Sequence, residues 1–206
     1  MTQAFSITAL IGVLLCQPAM AQETSAADMR QGPVVVELFT SQGCAACPPA
    51  DAMIAELADR EDVIALSLHV DYWNYLGWED TFSDAAFTQR QYGYSHAHHS
   101  TVVYTPFLII GGSHPVMPDR AMQVADHIAA HRTAPDPVHL SVAPSGAGYA
   151  VEAQWADPAP APEMVVQLVA YSPRETVEIT PRADLSHAVI VQTAGHGAIL
   201  GAIRLD

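Results

Sequence analysis

Residues 33–51 read PVVVELFTSQGCAACPPAD, and this stretch decides the fold. Pro33 to Phe39 is a short apolar run rich in Val, the pattern of a buried strand. Thr40 to Gly43 supplies a turn. Cys44-Ala45-Ala46-Cys47 follows, and then Pro48-Pro49. In the next segment, ADAMIAELADR, the residues Ala50, Met53, Ile54 and Leu57 recur at helical spacing. The expectation is a strand, a turn carrying two thiols, and an amphipathic helix over residues 48–59. Both prolines suit a first helical turn, where the N–H groups lack intrahelical partners.

The spacing of the thiols bears on their chemistry. A thiolate is the nucleophile of thiol–disulfide exchange, and its pKa falls at a helix N-terminus. This context places Cys44 exposed at the start of the helix and Cys47 one turn on, nearer the core. Cys44 is then the attacking thiol, and Cys47 resolves the mixed disulfide. Ala45 and Ala46 do little for a thiolate, so a moderately reducing potential is expected. A bond between residues this close removes little unfolded-state entropy and makes a poor staple.

Downstream, Val63–Val70 (VIALSLHV) reads as a second strand, leading into an aromatic loop, DYWNYLGW, over residues 71–78. Residues 82–94 are expected to be helical. Residues 102–110 (VVYTPFLII) form a third strand, and Gly111-Gly112 is a hairpin signal before a short return strand. Residues 118–131 complete the pattern as a helix. Pro106 in an inner strand is anomalous unless its bond to Thr105 is cis. A cis proline beside the redox turn would expose the Thr105 backbone to a substrate peptide and block metal capture by the dithiol. Glu37, in the strand feeding the turn, is placed to move protons for Cys47. The segment around His69, Asp71, Trp73 and Trp78 reads either as a groove wall over Cys44 or as a cap on the core.

The order strand, redox turn, helix, strand, helix, strand, strand, helix suits an α/β sheet with flanking helices. Thr133–Pro137 reads as a linker. Beyond it lie alternating segments at residues 138–142, 149–155, 164–171, 176–180, 188–192 and 198–205, read as a small all-β appendage over residues 138–206. Residues 1–21 read as a secretory signal peptide: the apolar run Ile7–Leu15 is too short to span a bilayer, and Ala19-Met20-Ala21 is a cleavage pattern. Export to the periplasm or beyond is expected, with residues 22–132 as the α/β domain. Cys16 leaves with the signal, so Cys44 and Cys47 are the remaining thiols.

The stretches VVELFTSQGCAACPPAD, HVDYWNYLGWED, FTQRQ and VYTPFLIIGG resemble a bacterial family of exported proteins, the domain of unknown function family 1223. The resemblance implies a thioredoxin-like fold and a C-x-x-C dithiol. The matching positions are Glu37, Cys44, Cys47, His69, Asp71, Trp73, Trp78, Tyr104 and Pro106. Phe107 stands where the family commonly has Gln. Thr105, Trp73 and Tyr104 are the expected substrate contacts, and Pro106 joins Cys44, Cys47 and Glu37 as the expected catalytic set.

The 206 residues carry a formal net charge of −14, and all eight basic residues are Arg. An acidic surface argues against nucleic acid, whose phosphates need basic partners, and against anionic membranes. The expected partner is a protein or small thiol/disulfide, with no cofactor. Two rival readings remain. A copper chaperone would bind metal through Cys44, Cys47 and a histidine such as His98 or His99, since imidazole and thiolate together suit copper or zinc. A binding module would carry a stable, inert disulfide.

Overall fold

The computed structural model describes residues 32–77, 79–173, 186–193 and 196–204; of Ser186 and His187 only the backbone is considered. The signal-peptide reading, Cys16, Trp78 and the segment 176–180 lie outside these residues. The described residues lie in one compact unit.

A four-stranded sheet organises the first part. β1 (Val34–Thr40) lies parallel to β2 (Val63–His69), antiparallel to β3 (Phe107–Ile110), and β3 pairs antiparallel with β4 (His114–Val116), giving the order β2-β1-β3-β4. The parallel pair requires a crossover, and α1 (Pro48–Ala58) provides it. The β3–β4 connection is the expected hairpin, with Gly111 and Gly112 at φ 58° and 68°. A turn with positive φ at both central residues matches the twist of the strands it joins.

Side chains alternate across a strand, so β1 serves two cores. Val34, Val36 and Leu38 pack with Ala50, Ile54 and Leu57 of α1 and with Val124 and Ile128 of α3 (Ala121–Thr133). Val35 and Phe39 face the other way. Phe39 packs against Tyr94 of α2 (Ala85–Ala97) and Ile109. Val35 packs with Ile64, Leu66, Ala188, Ile190 and Ala202. The last three belong to β8 (Ser186–Thr193) and β9 (Ile199–Arg204).

Two β layers follow α3. β5 (Val138–Ser145) and β6 (Gly148–Trp155) form a hairpin, while β7 (Met164–Tyr171), β8 and β9 form an antiparallel sheet in that order. The β8–β9 layer covers the half of the first sheet that α2 leaves open, so it contributes to the main core.

Three elements start at least three residues later than the sequence reading has them. The helix expected from residue 82 begins at Ala85, because the Asp84 side chain caps it by accepting from the Ala86 N–H at 2.8 Å. Phe82 is left outside, its ring edge-on to His69. The strand expected over residues 102–110 is reduced to Phe107–Ile110, since Pro106 has no N–H for a ladder. α3 starts at Ala121 rather than Pro118, after a turn in which Arg120 N–H donates to Met117 C=O.

Candidate functional site

Cys44 and Cys47 are joined by a disulfide directly before α1, with Cys47 at the N-cap and Pro48-Pro49 in the first turn. The turn is closed by backbone bonds from Cys44 N–H to Ser41 C=O and from Cys47 N–H to Cys44 C=O. Cys44 was expected to be exposed. In the disulfide form only 5% of it is accessible, and Cys47 is fully buried. The exposed rim consists of Ala45, Ala46, Pro48 and Pro49.

Trp73 walls the turn. A Cβ at Gly43 would lie 3.0 Å from the Trp73 Cβ, so any larger residue here would press on the Trp73 side chain. The Trp73 indole N–H donates to Thr105 Oγ1 at 2.7 Å. The Thr105–Pro106 bond is cis. Trp73 thus links the turn at Gly43 to the Thr105–Pro106 segment. Tyr104 is 40% exposed, with its ring edge against Phe107.

The walls hang on the buried polar face of α2. Thr88 Oγ1 donates to Asp71 Oδ1 at 2.6 Å and accepts from the Asp71 N–H. Gln91 accepts from the Tyr72 hydroxyl and donates to Tyr104 C=O at 2.7 Å. One helix therefore fixes both the aromatic loop and the segment before Pro106. Asp71 acts as a tie to this helix, while Trp73 lines the turn.

Glu37 is as buried as expected, at 1% exposure, but its partners are elsewhere. Arg90 donates from Nε to Glu37 Oε1 at 2.6 Å and from Nη2 to Oε2 at 3.1 Å, and the Tyr94 hydroxyl donates to Oε2 at 2.5 Å. Gln192 of β8 bonds Tyr94 from the other side. Glu37 shares the face of Val35 and Phe39, opposite α1. The structure thus does not bring Glu37 to Cys47: the sheet separates them, and the carboxyl group is paired with Arg90. The Glu37 anion pushes the Tyr94 hydroxyl far above its ordinary pKa, second only to burial.

Sequence reasoning missed the carboxylate that does stand on the dithiol's face. Asp51 lies one turn beyond Cys47, its N–H donating to Cys47 C=O at 3.0 Å. Residues four apart share a helix face. The Thr40 hydroxyl donates to Asp51 Oδ1 at 2.7 Å. Burial raises the Asp51 carboxyl above the usual carboxylate range. Its position in the PPAD run, on the inner side of the helix, was the available signal.

A second pair completes this face. His69 Nδ1 is 2.7 Å from Asp80 Oδ2, which also accepts the Gln42 N–H at 2.8 Å, while Asp80 Oδ1 accepts the Phe82 N–H. Burial pushes the Asp80 carboxyl up, but the Gln42 N–H, His69 and the Phe82 N–H together hold it below its ordinary value. Asp80 thereby ties the turn at Gln42 to the end of β2.

His98 caps the end of α2 and His99 follows at φ 55°, both exposed. As the side chains stand, no three His, Cys, Asp or Glu among the described residues converge on one point that could hold a metal. The structure therefore does not bring His98 or His99 to the thiols. No helix of the described residues is long and apolar enough to cross a membrane.

Fold and site together define a mixed α/β protein with a disulfide-bonded C-x-x-C pair at the start of its crossover helix. The model of the family DUF1223, described as a protein of unknown function, matches residues 35–193, and the chain belongs to that family. It is also similar to a protein of Agrobacterium tumefaciens whose crystal structure was solved by a structural genomics consortium. That likeness has 30% identity and a TM-score of 0.68, covering 85% of this chain and 94% of the other. No curated protein matches.

Proposed function

We propose that this chain is an exported, thioredoxin-like thiol–disulfide oxidoreductase acting on a protein or small thiol/disulfide substrate. The observation that carries the reading is the Cys44–Cys47 pair at the N-terminus of α1. The strand order β2-β1-β3-β4 with three flanking helices, and the cis Thr105–Pro106 bond tied through Trp73 to the turn, support it.

In the reducing direction the Cys44 thiolate attacks a substrate disulfide. A Cys44–substrate bond forms, the substrate S–S bond breaks, and the first substrate thiolate leaves. Cys47 then gives up its proton, for which Asp51 is the acceptor on the same helix face. The Cys47 thiolate attacks Cys44 Sγ, forming the internal disulfide and expelling the second substrate thiolate. Two electrons pass from the dithiol to the substrate, and two protons end on its thiols. Reversal of these steps oxidises a substrate dithiol.

The near-complete burial of both cysteines favours one rival, a binding module with an inert disulfide. Trapping separates the two. Cys47→Ala lacks the resolving thiol and is expected to retain mixed disulfides on Cys44, visible as non-reducing gel bands that dithiothreitol removes. Absence of such bands from both Cys47→Ala and Cys44→Ala, with the wild-type disulfide resisting dithiothreitol, would establish the inert module.

A further inference from the structure

Three histidines meet at the opposite end of the sheet from the dithiol. His114 opens β4 and pairs with Ile110, which pairs with Val36 near the start of β1, whereas the dithiol follows the end of β1. His127 and His131 lie four residues apart on α3, hence on one helix face. The His114 ring centroid is 4.7 Å from that of His127 and 5.1 Å from that of His131. His114 Nδ1 lies 3.1 Å from His131 Nε2, and Ser113 Oγ lies 2.9 Å from the same Nδ1. Gly111 makes this approach possible, since a Cβ there would sit 2.2 Å from His131 Cε1.

The charges acting on these rings are other imidazoles. His114 feels His127 and His98, and His131 feels His114 and His127. Burial first, then this mutual repulsion, holds His114 and His131 below the ordinary histidine pKa. A neutral imidazole offers the lone pair that binds a metal. Two nitrogens on one tetrahedral zinc lie roughly 3.3 Å apart at normal Zn–N lengths. The His114–His131 separation of 3.1 Å is close to that span.

We propose that His114 Nδ1 and His131 Nε2, with His127 as third donor, form a solvent-open site for a divalent late first-row cation such as Zn²⁺ or Cu²⁺. Two donors stand together already. The third ring is stacked at 35° on His114 and joins by turning about its side-chain torsions. His114 is exposed and the helix pair is half-exposed, so the cation enters from solvent. Imidazole donors favour Zn²⁺ and Cu²⁺ over Mg²⁺ or Ca²⁺. The site is independent of the thiols and of the redox reading.

Titration calorimetry with Zn²⁺ on untagged protein, its disulfide intact, tests the site. One equivalent is expected to bind, with affinity falling at least ~10-fold in both His114→Ala and His131→Gln, since even lost second-shell partners weaken metal sites ~10–100-fold. His114 is exposed, so its replacement carries the test alone if His131→Gln misfolds. Cu²⁺ electron paramagnetic resonance is expected to show nitrogen hyperfine coupling that both variants reduce. No binding of either metal, or affinity unchanged in His114→Ala, overturns the proposal.

Discussion

Asp51 and Glu37 approach β1 from opposite faces, and their surroundings give them different chemistry. Glu37 is gripped by two bonds from the Arg90 guanidinium on the face away from α1. Asp51 is raised by burial, against the opposing pull of the Thr40 hydroxyl and of His69. A carboxyl whose folded pKa exceeds its unfolded value favours the fold while protonated, and that contribution is lost as pH rises through the folded pKa. Asp51→Asn is therefore expected to be more stable than wild type near pH 7, with the gap closing below about pH 4. Urea unfolding across this range measures it. The same variant is expected to slow the resolving attack of Cys47 by up to ~100-fold at pH 7, the contribution of a lost general base. Stopped-flow release of a thiol substrate reads that step. Glu37→Gln is expected to leave its pH profile in place. The sequence made the wrong acid prominent because distance along the chain from Cys44 is visible there, whereas the side of the strand is not.

At the scale of elements, α2 is a polar strut. Its Thr88 and Gln91 hold the two walls of the dithiol turn, and its Arg90 and Tyr94 reach Glu37 on β1 and Gln192 on β8. Removing one partner of a buried ion pair strands the other, at a cost of about 3–5 kcal/mol. Arg90→Ala is expected to lose stability of that order in denaturant unfolding. The double variant Arg90→Met/Glu37→Leu is expected to recover most of it, because neither charge is left buried. The existence of α2 was legible from its apolar and aromatic residues. Its function as a strut was not, since the buried positions Thr88, Gln91 and Ser95 are polar and find their partners across sequence gaps. β1 and α1 were legible almost to the residue, because their cores follow the periods of 2 and 3.6 that a sequence displays directly. The walls of the site were legible in part: Trp73 and Thr105 stood out as residues, while the bond between them and the Gln91 ties were invisible.

Over the whole molecule, the C-terminal strands carry part of the core. Ala188 and Ile190 of β8 and Ala202 of β9 lie against Val35, Ile64 and Leu66. The alternating segments marked these residues as strands, but not the surface they cover. A chain ending at Pro137 would leave one face of the first sheet open beside α2. Such a truncation is expected to lose near-ultraviolet circular dichroism and to bind anilinonaphthalene sulfonate while retaining far-ultraviolet signal, the behaviour of an unpacked core. A truncated chain with native near-ultraviolet spectra would show that the first sheet needs no such cover.

The central claim is that the buried Cys44–Cys47 bond exchanges electrons with its surroundings while the protein stays folded. Equilibration of the native protein in graded ratios of reduced to oxidised glutathione, followed by alkylation and mass spectrometry, measures this directly. The expected result is one two-electron transition, with Cys44 and Cys47 gaining label together at a defined midpoint. Label that appears only after denaturant is added would contradict it, and would leave the pair as a structural disulfide.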